Sequence, residues 1–189
     1  MLLYYINANQ HILPLNSLCE LLTQEEINTC LSLTEKHQYA QAMSYTLQRY
    51  ALSKALQDGS NLTVKDIPIT RKPGYKPYFT PGGIHYSVSH TKSHIFVIVS
   101  DKPCGLDVEG KRPTIPDILY REFGLNEGTV QHWTMVESCL KYHGCGLAGI
   151  KDVSFDKENQ LLYKNKSVRQ MNITAILPKD LDLYGTVTL

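Results

Sequence analysis

The sequence predicts an α+β fold built from two halves, each running helix first and strands afterwards. Apolar residues recur at spacings of three and four between Ala40 and Ala55, and again between Val130 and Leu140. Each of these stretches is followed by segments with the two-residue alternation of half-buried strands. No long Ser/Gly linker separates the halves, so residues 1–103 and 104–189 are expected to pack as one unit. With 189 residues, 42% of them hydrophobic and 20% charged, the chain can form one large domain or two small lobes sharing a core.

Residues 1 to 7 read as a first strand. Thr23 with Glu26 three residues later forms a capping box and opens a helix through Ile27, Cys30 and Leu31. The second helix carries Ala40, Met43, Leu47, Tyr50, Ala51 and Ala55, and the cluster Asp58-Gly59-Ser60-Asn61 ends it. Residues 71 to 83, with two Lys-Pro dipeptides and three glycines, read as a loop. From residue 84 the period becomes two. Ile84, Tyr86 and Val88 share one face, and His85, Ser87 and Ser89 the other. His94 to Ser100 is a second strand, apolar through its centre. After the turn Asp101-Lys102-Pro103, a third strand over Cys104 to Glu109 sets Leu106 and Val108 against Asp107 and Glu109. A helix is expected from near Asn126 to about Tyr142, closed by Gly144. Strand-like segments follow at 152–155, 168–176 and 183–189.

The formal net charge of +1 supplies no bulk attraction to nucleic acid, and no nucleic-acid partner is expected. The longest apolar run, Ile95 to Val99, is far short of the ~20 residues that span a bilayer, so no membrane partner is expected either. The N-terminus has no basic region and no small-residue cleavage site. Five cysteines without a CxxC pair fit reduced thiols in a cytoplasmic protein. A monomer is expected.

The chemistry concentrates in three places. Asp107 and Glu109, at i and i+2 on one strand face, project their carboxylates roughly 7 Å apart, which suits a hard divalent cation as well as a solvated strand face. In the last long helix, Val130, Trp133, Val136 and Leu140 form an apolar stripe. Glu137 falls inside it, with Lys141 one turn on. A carboxylate on an inward face needs a cation or donors, although a surface Glu–Lys pair at i,i+4 has the same spacing. Ser87-Val88-Ser89-His90-Thr91 bunches hydroxyls and an imidazole at a strand end, where they can hold phosphate oxygens. His85, His90 and His94 do not make a zinc site, because the first two fall on opposite faces and no carboxylate completes the set. Arg49, Lys36, Arg71, Lys72 and Lys76 are the basic candidates for a polyphosphate.

In combination these segments resemble the surfactin-type phosphopantetheinyl transferases. That family shows an SxSH-like strand end, a strand of the form G-(hydrophobic)-D-(hydrophobic)-E, and a W-x-x-K-E-x-x-x-K helix, in that order. They are matched here by residues 87–91, by Gly105-Leu106-Asp107-Val108-Glu109 and by Trp133 to Lys141. Gly74-Tyr75-Lys76-Pro77-Tyr78 is similar to the family's preceding Gly-Lys-Pro segment, and Gly144-Cys145-Gly146-Leu147 to its Gly-x-Gly-Leu. The resemblance covers residues 36 to 147.

It implies two similar α/β lobes related by a pseudo-two-fold axis, with a cleft between them for coenzyme A. It also implies a magnesium-dependent transfer of the 4′-phosphopantetheine arm to a serine of an apo acyl or peptidyl carrier protein, releasing 3′,5′-ADP. Asp107, Glu109 and Glu137 would surround Mg²⁺, with Glu137 also the base for the serine. Lys141 would hold a pyrophosphate oxygen. Ser89, His90, Lys76 and Arg49 would contact phosphates, Arg49 the 3′-phosphate, and Lys36 is assigned to the same ligand. Two departures stand out. Val136 occupies the position of the family's helix Lys, and the stretch between Glu109 and Trp133, which helps dock the carrier, is short. A coenzyme A-binding module without turnover, and an unrelated metal-dependent hydrolase, are the competing readings.

Overall fold

The computed structural model describes residues 1–10, 13–56, 62–72, 75–111, 121 and 129–189. Its two main sheets are three-stranded and antiparallel, each crossed by one long helix. In the first, β1 (Leu2–Asn7) and β4 (His85–His90) flank β5 (His94–Ser100). In the second, β6 (Gly105–Gly110) and β10 (Gln170–Asn172) flank β11 (Leu183–Thr188). Each half therefore runs strand, helix, strand, strand, with the last strand placed in the middle. The helices are α3 (Glu35–Ala55) and α4 (Val130–His143). Between helix and final strands each half inserts a small sheet. The first half has β2 (Ile69–Thr70) with β3 (Tyr78–Phe79). The second has β7 (Val153–Phe155), β8 (Leu161–Tyr163) and β9 (Lys166–Ser167).

β5 is apolar because it is buried on both faces. Phe96 and Ile98 meet Leu106, Val108, Leu183 and Val187 of the second sheet. Val97 and Val99 pack under Ala51 and Leu52 of α3. Two short helices, α1 (Leu15–Cys19) and α2 (Gln24–Leu31), close the end of the first half around Leu18, Leu22, Cys30 and Met43. The Thr23–Glu26 capping box forms as the sequence predicts. In the second half, Trp133, Val136, Cys139 and Leu140 of α4 pack on Ile150, Val153 and Leu161.

The halves meet where β4 lies beside β6. The hydroxyl of Ser87 accepts from the backbone N–H of Leu106 at 3.0 Å, and that of Ser89 from Val108 N–H at 3.0 Å. Residues advance by two on both sides, so the strands run parallel, and serine hydroxyls replace ladder carbonyls. This satisfies an edge that would otherwise leave donors buried and unpaired. The core around Phe96 and Leu106 extends across the boundary at residue 103.

The helix expected near Asn126 begins, among the described residues, at Val130 behind the N-cap Thr129. It ends at Gly144, whose φ of 66° is the left-handed cap conformation. Asn126 and the cluster at residues 58–61 lie outside the described residues. The expected strand at 168–176 is shorter: Gln170–Asn172 is strand and Thr174–Ile176 a 3₁₀ turn. α1 and the β2–β3 and β8–β9 pairs are additional elements. The β8–β9 turn places Lys164 and Asn165 at φ of 50° and 61°.

Candidate functional site

α4 lies unusually close to β6 because Gly105 has no side chain. A Cβ there would sit 1.9 Å from the Ser138 carbonyl oxygen and 2.5 Å from the Tyr142 nitrogen. The close approach sets Lys141 and Glu137 directly over Asp107, two residues along the strand. Hydroxyl pairs between α4 and β11, Thr134 with Thr186 at 2.8 Å and Ser138 with Thr188 at 2.9 Å, hold the helix in register.

Asp107 is the hub. It is 2% exposed, and its Oδ1 accepts from Ser89 Oγ at 2.9 Å and from Lys141 Nζ at 2.6 Å. Its Oδ2 is buried with no hydrogen-bond partner among the described residues. Lys141 also pairs with Glu137 at 3.4 Å. Burial and the neighbouring Asp107 charge push the Glu137 carboxyl up to about 7, with Lys141 pulling only partly the other way. Burial works against the Lys141 charge, but Asp107 and Glu137 outweigh it and raise its pKa, so it stays an ammonium. A cation already stands between two carboxylates, yet one carboxylate oxygen is still unsatisfied.

Beside this cluster opens a cavity of about 270 Å³ with Tyr86, Val88, Leu140 and Leu147 among its walls and Lys76, Glu137 and Lys141 at its polar side. Lys76 donates to the Cys104 carbonyl oxygen, and burial followed by the Lys141 charge lowers its pKa. His90 ends β4 next to Ser89. Its Nε2 is 2.7 Å from Ser44 Oγ of α3. His90 is exposed at the strand end, yet the protein around it, and then Lys141, lower its pKa to about 4, so it is neutral at pH 7.

The sequence-predicted residues therefore divide. Asp107, Glu137, Lys141 and Ser89 form one contact group, with Lys76 beside them and His90 next along β4. Arg49 is elsewhere. It is 2% exposed, with Nε and Nη2 on Glu26 at 2.9 Å and Nη1 on the carbonyls of Lys65 and Ile67 at 2.7 Å. All three nitrogens are occupied by protein oxygens, in place of the 3′-phosphate expected from the sequence. Lys36 falls in the first turn of α3, and its side chain lies outside the described residues, as does Gly74. Glu109, half-buried at the register position opposite Tyr184, lines a separate groove of about 380 Å³ with Lys92, His94 and Asp180.

Among the described residues no group of three His, Cys, Asp or Glu side chains stands close enough to hold a metal ion. The expected trio of Asp107, Glu109 and Glu137 is thus not assembled. Two of its members still fit a hard divalent cation, which needs only one or two carboxylates when water and phosphate oxygens complete its shell. The unpartnered Asp107 Oδ2 is the atom that would serve it.

Sequence reasoning missed Ser44 and Gln48, which connect His90 through α3 to Arg71, and the role of Glu26 as partner of Arg49 and Arg71. Glu26 was visible only as a capping residue. Its second role joins positions 23 and 45 residues apart, and no local spacing signals it. No family model matches the chain, and no curated protein is similar enough in sequence to count as a relative.

Proposed function

We propose that the chain is a 4′-phosphopantetheinyl transferase that moves the arm of coenzyme A to a serine of an apo carrier protein. One observation carries this reading: the three motif segments, 87–91, 105–109 and 133–141, converge on Asp107 through Ser89 Oγ and Lys141 Nζ. We also read the halves 1–103 and 104–189 as lobes related by a pseudo-two-fold axis, a reading supported by their shared strand order.

In the reaction, a bond forms between the carrier serine oxygen and the β-phosphorus of coenzyme A. The bond from that phosphorus to the bridging oxygen breaks, 3′,5′-ADP departs with the electron pair, and the serine proton passes to a carboxylate. Glu137, half-buried at the cavity and held near neutrality in its proton affinity, is the group suited to accept it. Lys141 and Lys76 supply positive charge to the pyrophosphate, and Ser89 and His90 supply neutral polar contacts. The apolar walls of the cavity suit the slender pantetheine arm, and its volume is slightly below the ~300–1,000 Å³ of most small-molecule sites. A Mg²⁺ ion on Asp107 and Glu137 would offset charge on the pyrophosphate.

Incubating the protein with an apo acyl or peptidyl carrier domain, coenzyme A and Mg²⁺ tests the reading by mass spectrometry. The expected result is a gain of one phosphopantetheine unit on the carrier with release of 3′,5′-ADP. Coenzyme A binding without that gain selects the module without turnover, and no binding at all overturns the reading.

A further inference from the structure

A single file of side chains runs from the buried ion pair of the first half to the end of β4. Arg71 binds Glu26 Oε1 through Nε at 3.1 Å and Gln48 Oε1 through Nη1 at 2.9 Å. Gln48 Nε2 lies 3.0 Å from Ser44 Oγ, and Ser44 Oγ lies 2.7 Å from His90 Nε2. Each link could run either way except the first. A guanidinium only donates, so the Gln48 oxygen must face Arg71 and its NH₂ must face Ser44. Ser44 then accepts from Gln48, and no described side-chain or backbone oxygen takes its single proton. That proton has one direction left, toward His90.

We propose that Ser44 and Gln48 are positioning residues that transmit the polarity of Arg71 to His90 and fix it as the Nδ1–H tautomer. Nε2 is then held as an acceptor, and Nδ1–H is offered outward. No described residue pairs with Nδ1, so this proton is free for a ligand oxygen at the strand end beside Ser89. The imidazole thus acts as an uncharged donor with a set direction. Gln48 and Ser44 are nearly inaccessible, at 2% and 1% exposure, so water does not compete with the file where its direction is decided. The tautomer stands on the hydrogen-bond geometry alone. Use of Nδ1–H on a phosphate oxygen of coenzyme A rests on the transferase reading above.

The test is long-range ¹H–¹⁵N NMR of His90 in the ligand-free protein at pH 7, where no turnover is needed. The expected spectrum shows Nδ1 protonated and Nε2 bare. Gln48→Glu reverses the file: a carboxylate accepts from both Arg71 and Ser44, so Ser44 must accept from His90, and the ring is expected to switch to Nε2–H. Ser44→Ala removes the donor and is expected to populate the Nε2–H form, which covers the case in which the Glu variant does not fold. In the transfer assay, Ser44→Ala should raise the KM for coenzyme A by about 2- to 12-fold with kcat little changed, the range of one neutral hydrogen bond. An Nε2–H ring in the parent protein, or an Nδ1–H ring that persists in both variants, overturns the proposal. If the tautomer behaves as expected and no carrier is modified, the file stands and the transferase reading fails.

Discussion

Each half of the molecule buries one charged cluster against its long helix, and the two clusters are completed differently. In the first half, both Glu26 oxygens are engaged by Arg49, Arg71 and the Thr23 backbone, every nitrogen of Arg49 has an oxygen, and Arg71 Nη2, without a hydrogen bond, still sits 3.1 Å from Glu26 as an ion pair. In the second, Asp107, Glu137 and Lys141 share one ammonium between two carboxylates, Asp107 Oδ2 has no partner, and Glu137 holds its proton up to about 7. A buried charge without full compensation is costly, and the second cluster tolerates this beside an open cavity. Satisfied charges hold a fold together. An unsatisfied oxygen behind the cavity-lining Glu137 and Lys141 is where a cation or substrate adds something.

The largest expected difference follows from Asp107→Ala. Transfer should fall by at least about a thousandfold, roughly 4 kcal/mol of barrier, because Ser89 and Lys141 lose their common anchor. Stability should change by only about 1 kcal/mol, since removing an unsatisfied buried oxygen offsets much of the lost ion pair. Carrier modification rates alongside urea unfolding measure both. A near-wild-type rate at limiting Mg²⁺ would remove Asp107 from the chemistry.

Arg49→Ala should do the reverse. Glu26 keeps Arg71 and the backbone N–H and hydroxyl of Thr23, and the carbonyls of Lys65 and Ile67 lose their donor, so the protein should lose about 3 kcal/mol of stability. Coenzyme A affinity of the folded fraction should hold, in titration calorimetry with both coenzyme A and dephospho-coenzyme A. A stable variant that binds coenzyme A more weakly, and dephospho-coenzyme A as before, would return Arg49 to the 3′-phosphate.

Val136→Lys comes next. Val136 is 0% exposed among Trp133, Cys139, Leu140, Ile150, Val153 and Leu161, under the β7–β9 sheet. Its neighbour Glu137 faces the cavity, and one residue of helix turns the side chain by ~100°, away from it. The replacement should cost about 2 kcal/mol of stability and give no gain in coenzyme A affinity. A variant that binds coenzyme A more tightly would show that a lysine stem from this position reaches the pyrophosphate.

Legibility in the sequence followed the range of the interactions. β5, β6 and α4 were readable because burial on two faces, alternation and a helical stripe are local patterns. The Thr23–Glu26 box and the Gly144 cap were readable for the same reason. Glu137 stood out because it falls inside the apolar stripe of its helix, Lys141 because it lies one turn on, and Asp107 because it shares one strand face with Glu109. α1, at five residues, is too short to show a period, and the two-residue strands β2, β3 and β9 carry no alternation at all. Arg49 misled because a basic residue among apolar ones has the same local pattern whether its partner is a phosphate or Glu26. Gly105 was legible as part of a motif, but its reason, the 1.9 Å clash a Cβ would make with α4, exists only in three dimensions.

The smallest expected effect is on the acid side of the stability curve, and it bears on the completed cluster alone. Burial works against the Glu26 charge, but the Arg49 hydrogen bond, the Thr23 N–H and the charges of Arg49 and Arg71 outweigh it, so its carboxyl titrates below the usual range. The unfolded chain therefore takes up this proton first as pH falls, and stability rises with pH wherever that holds. The contribution is fully present above the unfolded glutamate value of about 4.3 and is lost as pH drops through the lower folded value. Glu26→Gln removes the titration, leaving an amide that cannot match two guanidinium groups. The variant should be less stable than the parent at pH 7, and the gap should narrow as pH falls below about 4.3. Other depressed carboxylates, such as Asp66 held by Thr63, titrate in both proteins and cancel from the difference. Urea unfolding of the pair between neutral and acid pH measures the gap. Curves that stay parallel throughout would mean that Glu26 has the same proton affinity folded and unfolded, and that the first cluster is no better satisfied than the second.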